Sequence, residues 1–145
     1  KEVISKISSQ IILVGGPTDT ELATSIVEAF PSKQILNACG GFSLQQSASI
    51  VSKAAVLLTN DTGLMHIAAC FKIPIVSVWG NTVPDLGMYP YFPNHSELYS
   101  IHQVENLSCR PCSKIGYKKC PKGHFNCMNL QDSSAIINDI NLRVL

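Results

Sequence analysis

Short apolar runs alternate with amphipathic stretches through the first half of the chain. Gln10 to Val14 is an apolar β run that ends in the turn signal Gly15-Gly16-Pro17. Thr18-Asp19-Thr20-Glu21 then fits a capping box, with Thr18 as cap and Glu21 reaching back. The stretch that follows places Leu22, Ile26 and Ala29, with Ala23, Val27 and Phe30, on one helical stripe, and Pro31 closes it. Gln34-Ile35-Leu36 is a second strand candidate, and Gly40-Gly41 a loop. Ser43-Leu44-Gln45-Gln46 is a second capping box, opening a helix to about Ala54 that should bury Leu44, Ala48 and Val51. Ala54 to Thr59 reads as a buried strand, Asp61 to Phe71 as a helix and Ile73 to Trp79 as another apolar strand. Strands alternating with helices at this spacing predict an α/β domain, a Rossmann-like parallel sheet with flanking helices.

After Gly80 the pattern breaks. Pro84, Pro90, Pro93, Pro111 and Pro121 punctuate a long segment of little periodicity, which also holds four of the six cysteines. A last helix, from about Asp132 to Leu142, has Ile136, Ile137 and Ile140 as its apolar side. There is no internal repeat and no low-complexity tract. The chain of 145 residues matches one domain, residues 1–145, large enough for a single core.

Composition narrows the class of function. Hydrophobic residues make up 46% of the chain and charged residues 14%, a core-rich globular balance. The net charge of +1 gives no basic footprint for nucleic acid. No apolar run approaches the roughly 18 residues that span a bilayer. The first residue is Lys, and no charged-then-apolar signal pattern precedes Gln10, so the N-terminus reads as an interior cut in an excised or processed chain. The regular α/β half suggests an intracellular, cytoplasmic setting, where free thiols or a metal outrank a disulfide framework.

Ligands of open parallel sheets bind beyond the carboxyl ends of the strands, where loops lead into helices. Val56-Leu57-Leu58-Thr59-Asn60-Asp61-Thr62-Gly63 is such a junction. Unpaired N–H groups and the positive helix end at Thr62 to Leu64 would attract a phosphate or diphosphate. Gly63 lets a ligand approach the backbone, and Thr62 and His66, four apart, share a helix face. On spacing alone, capping by Asp61 and packing of His66 against the sheet account for the pattern equally well. Two further loops should converge on the same edge. One leads to Glu21, a candidate acceptor for ribose or base; the other carries Phe42, which could lie against a nucleobase. A capping role for Glu21 and simple packing for Phe42 stay open. Neither glycine pair is a GxGxxG or a P-loop.

Leu13-Val14-Gly15-Gly16-Pro17, Phe42-Ser43-Leu44, Asn60-Asp61-Thr62-Gly63-Leu64-Met65-His66-Ile67-Ala68-Ala69 and Ile75-Val76-Ser77-Val78-Trp79-Gly80 occur in this order. Together they resemble the C-terminal domain of glycosyltransferase family 9, the ADP-heptose:lipopolysaccharide heptosyltransferases. The likeness runs from about Gln10 to the last helix, and Asp-Thr-Gly-x-x-His is its most specific element. The Cys109-Arg-Pro-Cys112 and Cys120-Pro-x-Gly-His124-x-x-Cys127-Met128 sequences are similar to those of one branch of the family. The resemblance implies the C-terminal half of a two-domain GT-B enzyme that holds a nucleotide-sugar donor, ADP-heptose or a related one. It places Asp61, Thr62 and Gly63 against the diphosphate and heptose, His66 at the phosphates or sugar, Glu21 at the ribose and Phe42 at the adenine, with Leu64 beside them as a donor-binding candidate at the helix end. It also implies inversion at the anomeric centre, with a base from the absent N-terminal domain, which would also hold the lipopolysaccharide core acceptor. No metal or other cofactor is implied, because helix N-termini and basic side chains stabilise the departing diphosphate. No residue of this chain is then catalytic.

Cys109, Cys112, Cys120 and Cys127, with His102 and His124 nearby, are weak candidates for a structural zinc site. The Cys-x6-Cys spacing of the second pair departs from a zinc ribbon, so free or redox-labile thiols rank ahead. Arg110, Lys114, Lys118, Lys119 and Lys122 form a basic loop that could meet acceptor phosphates or an anionic membrane surface, though a solvated loop explains it more simply. Two alternatives remain at this level: a GT-B domain using a UDP-sugar, and a non-catalytic metal- or partner-binding module built on the cysteines.

Overall fold

A computed structural model describes residues 1–144. Among these residues six α-helices, α1 (Glu2–Lys6), α2 (Thr20–Ala29), α3 (Leu44–Val51), α4 (Gly63–Cys70), α5 (Asn126–Asn129) and α6 (Ser133–Val144), flank five strands. These are β1 (Ile11–Leu13), β2 (Ile35–Asn37), β3 (Leu57–Thr59), β4 (Ile75–Trp79) and β5 (Tyr99–Gln103). Every strand pairing is parallel, as the alternation of strands and helices requires. The ladder is split, however, into β1-β2 and β3-β4-β5. Among the described residues no helix is long and apolar enough to cross a membrane.

β4 is the centre of the larger sheet, and its side chains are almost entirely buried because helices cover both faces. Ile75 and Trp79 point into a core with Met65, Ala68 and Ala69 of α4 and Val51 of α3. Ala68 and Ala69 lack bulk, which lets α4 approach the sheet closely. Val76 points the other way, into a core with Ile7, Ile136 and Ile140. The apolar side expected for the last helix is therefore the one that packs. Ser77, fully buried in the same strand, is satisfied by donating to Ser100 O (2.6 Å) and accepting from Trp79 Nε1 (3.0 Å).

Several local expectations are corrected. The Ser43 capping box forms, with Gln46 N donating to Ser43 Oγ and Ser43 N to Gln46 Oε1. The box expected at Thr18 and Glu21 does not. Pro17–Asp19 is a short 3₁₀ turn instead, and Asp19 Oδ2 accepts from Gly16 N at 2.8 Å, so α2 starts at Thr20. On α2 the buried residue is Ala23, while Leu22 is 64% exposed and Ala29 exposed. On α3 it is Ser47 and Val51, and Leu44 is 65% exposed. Both outward leucines lie in the first turn of their helices. The segment after Gly80 also contains an unexpected strand, β5, over which Tyr89 and Phe92 stack on Tyr99.

β5 is fastened to α6 by a polar cluster. Asp139 accepts from Ser100 Oγ, lies 2.9 Å from His102 Nε2 and accepts from Arg143 Nε at 2.8 Å. Burial pushes the Asp139 carboxyl up, but the hydrogen bonds from Ser100, His102 and Arg143 outweigh it and hold the group below the ordinary 3.8. A carboxyl depressed in the folded state contributes stability above its unfolded value and loses it as pH falls through the folded value. Asp139→Asn should therefore lower the urea midpoint at neutral pH, and its deficit against the parent should shrink on acidification below 3.8. A deficit independent of pH would contradict this reading.

Candidate donor site

The β3–α4 junction is held from both sides. Asn60 Nδ2 donates to Val78 O at 2.7 Å, tying the turn to β4. Thr82 Oγ1, on the loop after β4, donates to Asp61 Oδ2 at 3.2 Å. Asp61 therefore does not cap α4. The N-cap is Thr62, in extended conformation, and its side chain makes no capping bond. Its hydroxyl lies 3.1 Å from Thr59 Oγ1 instead. Met65 N bonds back to Thr62 O, leaving the amides of Gly63 and Leu64 without a side-chain acceptor among the described residues. A Cβ built on Gly63 meets nothing within 4 Å, so the helix end faces open space. Thr62, Gly63 and His66 are exposed, and Leu64 is half-buried. His66 is not packed against the sheet. Uncapped N–H groups, the positive end of a helix and an open approach suit an anion.

The two glycine loops lock onto each other. Gly40 N donates to Gly15 O, and Thr20 Oγ1 to Cys39 O. Gly40 has φ +71°, and a Cβ there would fall 2.7 Å from Thr20 Oγ1 and 3.0 Å from Pro17 Cα, so this position admits only glycine. Glu21 stands exposed in the first turn of α2, and Phe42 is 46% exposed beside α3. Both flank these loops; no hydrogen bond among the described residues joins either to Asp61–His66. Thr82 went unmarked in the sequence, and Asn60 was marked only as part of the junction and its motif, with no role given to it. No local sequence signal singles out Thr82, whose burial and bond to Asp61 appear only in the structure.

Arg110 is not part of a solvated basic loop. Its guanidinium donates to the carbonyls of Gly80, Thr82 and Val104 and to Gln103 Oε1, fastening the segments that leave β4 and β5. Lys114, Lys118, Lys119 and Lys122 are exposed. An open cavity of about 380 Å³ lies beside Arg110, lined by Val83, Asp85, Gln103 and Asn106. The charge there is already committed to protein carbonyls.

The cysteine loop docks on the exit of β4 through Cys112 N to Asn81 O and Asn81 Nδ2 to Tyr117 O, both at 2.9 Å. All six cysteines are free thiols, and among the described residues no group of three or more His, Cys, Asp or Glu is arranged to hold a metal. Burial, then the neighbouring thiols, pushes Cys112 and Cys127 up; burial, then Asp19, does so for Cys39. Cys120 goes the other way, because the backbone N–H of Phe125, ahead of those of Lys122, Gly123 and His124, stabilises its thiolate. At neutral pH Cys120 should alkylate before Cys39, Cys112 and Cys127. Time-resolved iodoacetamide labelling read by peptide mass spectrometry checks the order, and earlier labelling of Cys127 would contradict it.

Comparison with known proteins places this geometry in a family. The chain is 34% identical over 79 residues to lipopolysaccharide heptosyltransferase 2 of Salmonella typhimurium, a stretch covering 52% of the chain and 23% of that protein. It is 26% identical over 136 residues to lipooligosaccharide heptosyltransferase 2 of Campylobacter jejuni, covering 92% of the chain and 40% of that protein. The chain thus spans less than half the length of these relatives. The fold is that of two solved structures. One, the Escherichia coli ADP-heptose lps heptosyltransferase II, has TM-score 0.70 at 23% identity, over 99% of this chain and 38% of that one. The other, the family 9 glycosyl transferase of Veillonella parvula, has TM-score 0.74 at 22% identity, over 97% and 38%. The sequence model for glycosyltransferase family 9 (heptosyltransferase) matches residues 2–120. The chain therefore belongs to glycosyltransferase family 9.

Proposed function

We propose that this chain is the donor-binding domain of an inverting glycosyltransferase that transfers heptose from ADP-heptose to the lipopolysaccharide inner core. The observation that carries the reading is the uncapped, open N-terminus of α4 at the carboxyl edge of a parallel sheet. The amides of Gly63 and Leu64 and the hydroxyl of Thr62 receive the diphosphate. Asp61, a carboxylate held by Thr82, would repel phosphate oxygens and accepts sugar hydroxyls instead. His66, exposed one turn along the same helix face, reaches along the same ligand edge, while Glu21 meets the ribose and Phe42 the adenine. Relatives named heptosyltransferase 2 support the sugar and the acceptor class.

The general base and the acceptor site lie outside this chain in this reading, so the chain binds donor without turning it over. Full glycosyl transfer by the purified chain would overturn that part. Calorimetric titration with ADP, UDP and GDP tests the base. The shared diphosphate contacts should let all three bind, with ADP tighter than UDP by about tenfold, or about 1.4 kcal/mol. Preference for UDP would favour a UDP-sugar enzyme instead.

A further inference from the structure

The chain leaves β4 through four successive carbonyls, and one part of the molecule donates to all of them. Trp79 O accepts from Gln131 Nε2 at 3.0 Å and Gly80 O from Arg110 Nε. Asn81 O accepts from Cys112 N and Thr82 O from Arg110 Nη2, both at 2.9 Å. These donors all lie within residues 110–131, the irregular segment that the donor reading leaves without a role. Asn81 returns a bond, donating from Nδ2 to Tyr117 O. Arg110 is the hub of the clamp. It is half-buried, it also donates to Val104 O and Gln103 Oε1, and no ion pair among the described residues includes it. The N–H groups of a guanidinium form a rigid planar fork, so carbonyls bound to one are held at fixed relative positions. One side chain of the clamped stretch reaches the donor-site candidate. Thr82 is 7% exposed, and its hydroxyl donates to Asp61 Oδ2 at 3.2 Å. Among the described residues no other group is bonded to that carboxylate.

We propose that Arg110 is a positioning residue of the donor site: through Thr82 it fixes the Asp61 carboxylate where the sugar hydroxyls of the donor bind. The cysteine-bearing segment is the mount that holds Arg110 in place, docked on Asn81 through Cys112 and Tyr117. The proposal rests on the donor reading of Asp61 and adds the residues that aim it. Asp61 meets the sugar, Thr82 sets Asp61 and Arg110 sets Thr82, and neither Thr82 nor Arg110 touches the ligand. Thr82 holds the carboxylate only as firmly as its own backbone is held, and Arg110 holds its carbonyl. A carboxylate aimed beforehand loses less side-chain freedom on binding. A misaimed one forfeits hydrogen bonds, which weaken steeply with angle. The effect therefore falls on the sugar and not on the diphosphate, which the first amides of α4 receive in the same reading.

Calorimetry on the 145-residue chain with ADP-heptose and with ADP tests it through the ratio of the two affinities. Thr82→Val keeps the shape and removes the hydroxyl; Arg110→Lys keeps the charge and removes the fork. Each should lower the preference for ADP-heptose over ADP by about tenfold. Thr82→Ser, which keeps the hydroxyl, should restore it. In an Asp61→Ala background, Arg110→Lys should lower it no further. A second readout needs no ligand. The Hα–Hβ three-bond couplings of Asp61 should report one χ1 rotamer in the parent and averaged rotamers in Thr82→Val and Arg110→Lys. A lower melting temperature with preference and couplings unchanged would overturn the proposal and leave the clamp purely structural. Couplings already averaged in the parent would overturn it, and so would a Thr82→Ser variant no better than Thr82→Val. An additive loss in the Asp61→Ala background would do the same, because Arg110 would then act by another route. A parent with no preference for ADP-heptose, whose couplings respond as expected, would count against the donor reading of Asp61 alone.

Discussion

Gly63→Val should weaken ADP binding by about 100-fold, on the order of 2–3 kcal/mol, without lowering the melting temperature. Position 63 is the first helical residue of α4, and the volume where its side chain would project is empty for 4 Å. The folded protein therefore accepts a side chain there, and removing a glycine from a helix is neutral or mildly stabilising. A ligand held by the Gly63 and Leu64 amides cannot share that volume. Loss of its charge-assisted contacts costs about 1.5–3 kcal/mol each. Calorimetry with ADP, paired with a thermal melt, separates the two effects. Unchanged affinity would move the phosphate away from α4, and a large fall in melting temperature would mean that the helix end is not open.

Trp79→Ala should cost about 3–5 kcal/mol, the range for deleting a large aromatic from a packed core. Trp79 has no exposed surface and closes the core formed by α3, α4, β4 and Phe92. Its removal also takes the indole donor from Ser77 Oγ. Against a typical net stability of about 5–15 kcal/mol, that loss is a large share of the whole. Trp79→Phe keeps most of the volume and should cost clearly less. Urea unfolding of both variants checks the pair, and equal losses would assign the effect to the Ser77 hydrogen bond rather than to packing.

Period and turn chemistry made much of this fold legible. The apolar runs at Gln10 to Val14 and Ile73 to Trp79 enclose β1 and β4, and Ser43 with Gln46 marks the start of α3 by a mechanism that the structure bears out. An equivalent pattern at Thr18 and Glu21 failed because Pro17 and Asp19 supply a competing local structure. Asp19 takes the Gly16 amide before Thr18 can cap anything. β5 was obscured by prolines on its N-terminal side and by polar residues within it. Yet Tyr99 and Ile101 alternate with Ser100 and His102, and the polar pair turns to Asp139 on α6. The split between β1 and β3 was illegible, since hydrophobic period reports which face is buried and not which edge is paired.

The donor-site candidate was legible as a junction but not in its parts. Asp61 and Thr62 exchange the roles that local propensity suggests. The carboxylate is claimed by Thr82, distant in sequence, and the threonine caps without closing the helix end. That exchange leaves the first-turn amides available, and it depends on a tertiary contact. The family resemblance was legible from motif order alone, and the match over residues 2–120 agrees with it.

The most direct measurement is the set of backbone amide shifts in the 145-residue protein on titration with ADP. The account predicts that Thr62, Gly63 and Leu64 move first and farthest, with smaller shifts at Gly40 to Phe42, and that Gly63→Val removes the response. Shifts centred on Gln103 to Arg110, around the cavity beside β5, or none at saturating ADP, would contradict it.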